Sequence, residues 1–248
     1  MIILKSPREI ERMKIPCKMV AEVLALLKEL VKPGVTTQDL DSIASYEVKK
    51  RKAKAAFKGY HNYPNVLCCS LNNQVVHGIP TSIPLKSGDI LSLDFGVFYD
   101  EFYGDAAITV PVGVVSDLAA TLIKVTEQSL YEGVRSAVPG GRLFDVSYAI
   151  QSYVESHGFS VVRDFVGHGI GRCLHEDPQV PNFGLPGKGV LLKPGMVLAI
   201  EPMINQIGHD VRVLEDDWTV VTCDGGLSAH FEHTVAITDS GPVILTCL

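Results

Sequence analysis

Hydrophobic positions switch between helical and strand spacing along the chain in an order that occurs twice. Ser6-Pro7 followed by Glu9 reads as a helix N-cap with proline at the first helical position, and apolar residues recur from Ile10 through Leu30 until Pro33-Gly34 ends the helix. A second helix is predicted from about Thr37 to Lys52. Farther on, Ser116-Asp117 opens a periodic segment that reaches Ala137, Pro139-Gly140 breaks it, and another helix is predicted from about Leu143 to His157. Apolar strands follow each helix pair, entered through the turns Lys86-Ser87-Gly88 and Lys193-Pro194-Gly195.

The repetition holds residue by residue. Pro33-Gly34, Asp39, Leu40 and Val48 fall onto Pro139-Gly140, Asp145, Val146 and Val154 at a shift of 106 residues, and the segment Leu85 to Asp94 falls onto Leu192 to Glu201 at a shift of 107. Asp94 and Glu201 therefore coincide. Each half also places a carboxylate at the head of a later apolar strand, Asp105 in one and Glu232 in the other. A chance match of short stretches does not account for separate features agreeing in one order. The expected architecture is α+β: an antiparallel sheet covered by helices on one side, with an internal pseudo-twofold. One catalytic domain is expected over 1–248, with halves of about 1–115 and 116–248.

Composition narrows the class. A chain of 248 residues with 46% hydrophobic and 20% charged residues suits one compact domain or two small fused halves and excludes a disordered protein. Apolar runs such as Met196 to Ile200 are short, whereas a membrane span needs about 20 apolar residues in a row. The first twenty residues carry seven charged side chains, including Lys5, Arg8 and Glu9, where a secretory signal needs an apolar core. Cytosol is the expected compartment, with no membrane partner. The net charge of −6 supplies no general attraction to nucleic acid, and the basic cluster Lys49 to Lys54 reads as a solvated helix end. Six cysteines without CxxC spacing point to reduced thiols and no structural zinc.

Side chains alternate along a strand, so Ile90, Ser92 and Asp94 share one face, as do Val197, Ala199 and Glu201. An ionised carboxylate at the end of a buried strand is costly unless something positive meets it. No Lys or Arg is close to Asp94, Asp105 or Glu201 in sequence, although Arg212 offers itself from another segment. Four acids gathered by a pseudo-twofold call for divalent metal. Among the histidines, His168 lies within Gly167-His168-Gly169-Ile170-Gly171, His175 follows in Leu174-His175-Glu176, and His77 stands in Val76-His77-Gly78. His61, His157 and His209 read as hydrogen-bonded structural or surface residues. A donor set of mostly oxygen with some imidazole suits a pair of Mn, Fe, Co or Zn ions, which together activate water against a carbonyl or phosphoryl centre. A hydrolase is expected.

The stretches Gly59 to Pro64, Cys68 through Val76-His77-Gly78-Ile79-Pro80, Leu93-Asp94-Phe95-Gly96, Gly104-Asp105, Gly167 to Gly171, His175 to Pro178, Ile200-Glu201-Pro202 and Phe231-Glu232-His233-Thr234 resemble the type I methionine aminopeptidases of short bacterial form. The resemblance covers nearly the whole chain. It implies the pita-bread fold of creatinases and aminopeptidases. It also implies two divalent metal ions held by Asp94, Asp105, His168, Glu201 and Glu232, with Asp105 and Glu232 bridging. The implied reaction removes the N-terminal methionine of nascent polypeptides when the second residue is small. Glu201 is then both ligand and proton acceptor, His175 polarises the carbonyl, His77 holds the peptide nitrogen, and Tyr60, Tyr63, Cys68 and Trp218 wall the methionine pocket.

This chain departs from the family pattern at Asn62, where glycine is usual, at Leu174, where an aromatic is usual, and at His230, where glutamine is usual. His230 also offers a pH-dependent contact beside Glu232. With no zinc-finger or basic extension ahead of the catalytic region, a ribosome contact would use the domain's own surface, and a monomer is expected. Two other readings share the fold. An Xaa-Pro aminopeptidase has a similar ligand set but usually an added N-terminal domain and no equivalent of the Gly59 to Pro80 stretch. A non-catalytic binding protein typically loses ligands and gains basic extensions, whereas all five ligands are present here and the charge is acidic.

Overall fold

Each helix pair starts on a cap its sequence carries. In α1 (Pro7–Leu30) the Ser6 hydroxyl accepts the Glu9 N–H while the Glu9 carboxylate accepts the Ser6 N–H. In α2 (Thr37–Lys50) Thr36 and Asp39 make the same reciprocal pair. These bonds satisfy N–H groups that a helix start leaves without partners. The computed structural model describes residues 1–248. Its first half continues with β1 (Lys54–Ala55), β2 (Leu67–Leu71), β3 (Gln74–Val76), β4 (Ile90–Tyr99) and β5 (Phe102–Pro111). The second half opens with α3 (Asp117–Ser136) and α4 (Leu143–Ser156), followed by β6 (Ser160–Val161), β7 (Gly167–Gly169), β8 (Glu176–Val180), β9 (Val197–Ile200) and β10 (Met203–Asn205). It ends with β11 (Val211–Val213), β12 (Val220–Thr222), β13 (Ser228–His230), β14 (Glu232–Thr238) and β15 (Gly241–Ile244).

The helix pairs repeat closely: α2 and α4 are each 14 residues long, and α4 begins 106 positions after α2. α2 stops before the predicted Lys52, because Arg51 caps it and Lys52 turns into the left-handed region at φ 56°. The main sheet has nine strands, all paired antiparallel, in the order β1-β4-β5-β14-β9-β7-β8, with β2 also on β4 and β15 also on β14. The central run β4-β5-β14-β9 reads the same from either end, because β9 repeats β4 and β14 repeats β5 in sequence. The pseudo-twofold passes between β5 and β14, where the Thr234 hydroxyl donates to the Asp105 carbonyl at 2.7 Å.

One face of this sheet is covered by helices. Leu91, Leu93, Phe95 and Val97 of β4 pack on Val20, Leu24, Leu27 and Leu40 from α1 and α2. Leu198, Ile200, Val235 and Ile237 pack on Leu122, Leu130, Val146 and Ile150 from α3 and α4. Each such buried side chain contributes about 1.5–3 kcal/mol. The beginning of α1 serves a different purpose: Ile10, Met13 and Cys17 join Tyr63, Cys68, Ile170 and Leu174 in a third cluster that backs the cavity described next.

Candidate active site

Strand register brings the predicted ligands together. Residues directly opposite in an antiparallel ladder share a face. Cys68 pairs with Asp94, Asp94 with Ala107, Asp105 with Gly96, and Ala107 with Glu232. On the other side of the pseudo-twofold, Thr234 pairs with Ala199, and Ala199 with His168. Alternation then puts Cys68, Asp94, Asp105, Glu232, Glu201 and His168 on one face of six adjacent strands, opposite the helices.

Within this row Asp105, His168 and Glu232 are all buried, and a ligand atom from each lies within 4.8 Å of the other two. Glu201 Oε1 is 3.5 Å from His168 Nε2. The His168 Nδ1–H donates to the Gly169 carbonyl at 2.9 Å, which leaves Nε2 with its lone pair toward the acids. Burial lowers the His168 pKa to about 3, so the ring is neutral and its contact with Glu201 is not an ion pair. Gly167 is required for the approach of β7 to β9: a Cβ there would sit 2.3 Å from the Ala199 carbonyl oxygen.

No Lys or Arg compensates the acids. Arg212 lies exposed on β11, and the contacts of Glu201 with basic side chains are to His168 and His230. Asp94 Oδ1, Asp105 Oδ1 and Glu232 Oε1 are buried without any hydrogen-bond partner. Burial, reinforced by their mutual repulsion, drives the carboxyls of Asp105 and Glu232 well above the ordinary range, and burial raises those of Asp94 and Glu201. Partnerless oxygens facing one another, with one imidazole beside them and no cationic side chain, fit a divalent metal centre.

The acids form the floor of a cavity of about 350 Å³. Tyr60, Tyr63, Cys68 and Trp218 all line it. The buried Tyr63 hydroxyl donates to the Leu67 and Gly78 carbonyls at 3.2 and 3.0 Å, and its ring meets Trp218 edge to face with centroids 5.0 Å apart. His77 adopts φ 61°, a left-handed backbone uncommon for a side-chain-bearing residue and often found at functional sites. Its ring lies against Phe165 and Trp218, and burial lowers its pKa to about 4. His175 is exposed at the mouth, its Nδ1 2.6 Å from the Tyr60 hydroxyl and its ring 4.3 Å from that of His168.

The structure adds lining residues that pattern reading missed. Phe57, Val76, Phe165 and Met203 complete the walls, and three of them had a signal: Val76 adjoins His77, Phe165 precedes Gly167-His168, and Met203 follows Glu201-Pro202. His61, expected to be a hydrogen-bonded structural or surface residue, is exposed and lines the mouth beside Tyr60. His230 differs in its partner. Its Nε2 is 3.5 Å from Glu201 Oε2, since β13 lies in a separate three-stranded layer with β10, and burial lowers its pKa, so it is neutral near pH 7. Leu174 is buried in the cavity wall, and Asn62 takes φ 70°, the left-handed conformation that explains glycine or asparagine at that position.

The profile of metallopeptidase family M24 matches residues 11–239. The chain is 55% identical over 248 residues to a methionine aminopeptidase of Clostridium perfringens, covering 100% of both chains. It is 53% identical over 246 residues to methionine aminopeptidase 1 of Bacillus subtilis, covering 99% of both. Among solved structures, a methionine aminopeptidase from Thermotoga maritima superposes with a TM-score of 0.98 at 48% identity, covering 100% of each chain.

Proposed function

The chain belongs to metallopeptidase family M24 and is a hydrolase of the methionine aminopeptidase type, and from that premise we propose that it removes the N-terminal methionine of newly made polypeptides when the second residue is small. The observation that carries this reading is the floor of the cavity. Buried oxygens of Asp94, Asp105 and Glu232 without partners lie under an aromatic-walled pocket, with two neutral histidines on its walls. We assign Asp94, Asp105, His168, Glu201 and Glu232 as the residues that would hold two divalent ions. When bound, such metal supplies a Lewis acid for the scissile carbonyl and lowers the pKa of water.

The chain's own groups do the rest. Tyr60, Tyr63, Cys68 and Trp218 take the unbranched methionine side chain and exclude water around it. His175, held by the Tyr60 hydroxyl at Nδ1, directs its Nε2–H at the carbonyl oxygen, where charge grows as the tetrahedral species forms. His77 holds the scissile peptide nitrogen, and Glu201 accepts the proton released by the attacking water. Both histidines act as neutral donors, because desolvation lowers their pKa values. We further propose that the chain is one catalytic domain, works in the cytoplasm as a monomer, and meets nascent chains through its own surface at the ribosome, without nucleic-acid specificity. No helix is long and apolar enough to cross a membrane.

The test is peptide cleavage by metal-stripped protein reloaded with Co, Mn, Fe or Zn one at a time. Met-Ala-Ser should be cut and Met-Lys-Ser left intact. Equal turnover of Xaa-Pro peptides lacking methionine, or full activity in protein shown by elemental analysis to be metal-free, overturns the proposal.

A further inference from the structure

His175 is immediately followed by Glu176, and neighbouring side chains in extended chain point to opposite sides. While His175 stands at the cavity mouth, Glu176 turns inward and meets the Lys5 ammonium at 2.5 Å, the two side chains being 5% and 4% exposed. The other oxygen of Glu176 accepts the backbone N–H of Arg172 at 2.8 Å and of Cys173 at 3.2 Å. One carboxylate thus closes the turn that ends at His175. Lys5 is itself fixed, since its backbone N–H donates to the Gly195 carbonyl at 2.7 Å and its Nζ also donates to the Ile3 carbonyl at 3.2 Å. The fit is close enough that a Cβ on Gly171 would lie 2.4 Å from Lys5 Cε.

At its start the turn is held by the Tyr103 N–H donating to the Gly171 carbonyl at 2.8 Å, and its outer side is tied by Arg172 to Glu101 and Glu9, at 3.1 and 3.3 Å, through side chains that are half or partly exposed. Exposed pairs of that kind hold little. Breaking a buried pair from one side is different, because the remaining charge is left in the interior without its counterpart. A swing of Glu176 toward water relieves that charge, and the swing releases both amides.

We propose that Lys5 is a positioning residue for His175: it pins Glu176, and Glu176 sets the backbone of the 171–175 turn from which His175 reaches the substrate carbonyl. This rests on the role assigned to His175 above. It makes a segment at the start of the chain, 170 residues from His175, part of what aligns the cavity.

The test is Lys5→Met in the full chain, with two readings. Amide hydrogen exchange at Arg172 and Cys173 should accelerate by about tenfold or more while the β4–β5 hairpin is unaffected. With metal content unchanged, kcat for Met-Ala-Ser should fall by about ten- to a hundredfold at a KM within about twofold of wild type, since misplacement of a catalytic group acts on the transition state. Lys5→Met/Glu176→Gln should recover most of the loss, because glutamine carries no charge to leave unpaired and still offers an oxygen to both amides. Unchanged exchange, or unchanged kcat despite faster exchange, overturns the proposal, as does a double variant as impaired as the single one. If Lys5→Met does not fold, Lys5→Met/Glu176→Leu, which leaves neither a buried charge nor an acceptor for the two amides, decides by the same two readings. Wild-type protein without peptidase activity would instead sink the functional assignment, while exchange would still decide whether Lys5 pins the turn.

Discussion

Tyr60→Phe isolates one hydrogen bond in the proposed machinery. The ring remains to wall the pocket, and only the hydroxyl 2.6 Å from His175 Nδ1 is lost. Burial raises the Tyr60 pKa, so the phenol stays protonated and is the donor. Nδ1 is then the acceptor, and the neutral imidazole carries its proton on Nε2, the atom assigned to the carbonyl oxygen. Removing a neutral hydrogen bond costs about 0.5–1.5 kcal/mol, which corresponds to roughly a two- to tenfold fall in rate. The loss should appear mainly in kcat, because the contact matters most when charge has developed on the oxygen. Methionine binding, and therefore KM, should change little. The assay is steady-state cleavage of Met-Ala-Ser with metal content measured on the same sample, accompanied by ¹⁵N NMR of the His175 ring, which distinguishes the two neutral tautomers. Wild type should show the Nε2–H form and Tyr60→Phe a mixture. An unchanged kcat together with an unchanged tautomer refutes the reasoning and returns Tyr60 to a simple wall.

Three further outcomes are expected. In the metal-free chain the raised carboxyl pKa values of Asp94, Asp105, Glu201 and Glu232 mean that the folded state holds more protons than the unfolded one above the ordinary carboxylate range, so their contribution to stability falls as pH rises. His77 and His168, lowered to about 4 and about 3, act oppositely, and their contribution is lost as pH drops below about 6.5. Metal must displace protons from the acids, so the Tm gain on adding divalent ion should be larger at about pH 7.5 than at about pH 5.5; equal gains by calorimetry would count against the ligand set. His168→Ala should lose metal by elemental analysis, whereas His175→Ala should keep it and lose about 2–4 kcal/mol of transition-state stabilisation; the reverse pattern means the two roles are exchanged. Asn62→Val, at an exposed position with φ 70°, should lower stability by about 1–2 kcal/mol in denaturant unfolding without touching metal content, and an unchanged midpoint would contradict the left-handed backbone.

Local chemistry is the part of this molecule that can be read without coordinates. Helix starts at Ser6 and Ser116 follow from side chains that satisfy N–H groups within three residues, and the structure has both where the caps lie. The repeat was legible because both halves bury equivalent strands and keep equivalent turns. The alternation that puts Asp94 and Glu201 on the faces of Ile90 and Val197 is likewise a property of the strand alone.

What the sequence alone could not decide was everything that depends on which strand lies beside which. His230 stands two residues from Glu232 in the chain yet meets Glu201, because β13 joins β10 in another sheet. Tyr60 is a wall by motif, but its hydroxyl reaches a histidine 115 residues away. Lys5 is one charge among the seven of the first twenty residues until the fold buries it against Glu176, 171 residues distant. In each case the partner is set by register and layer packing, which integrate the whole sheet. Helix caps and strand faces are determined over a few residues and so are written locally, whereas these contacts exist only once the two halves have closed around the cavity.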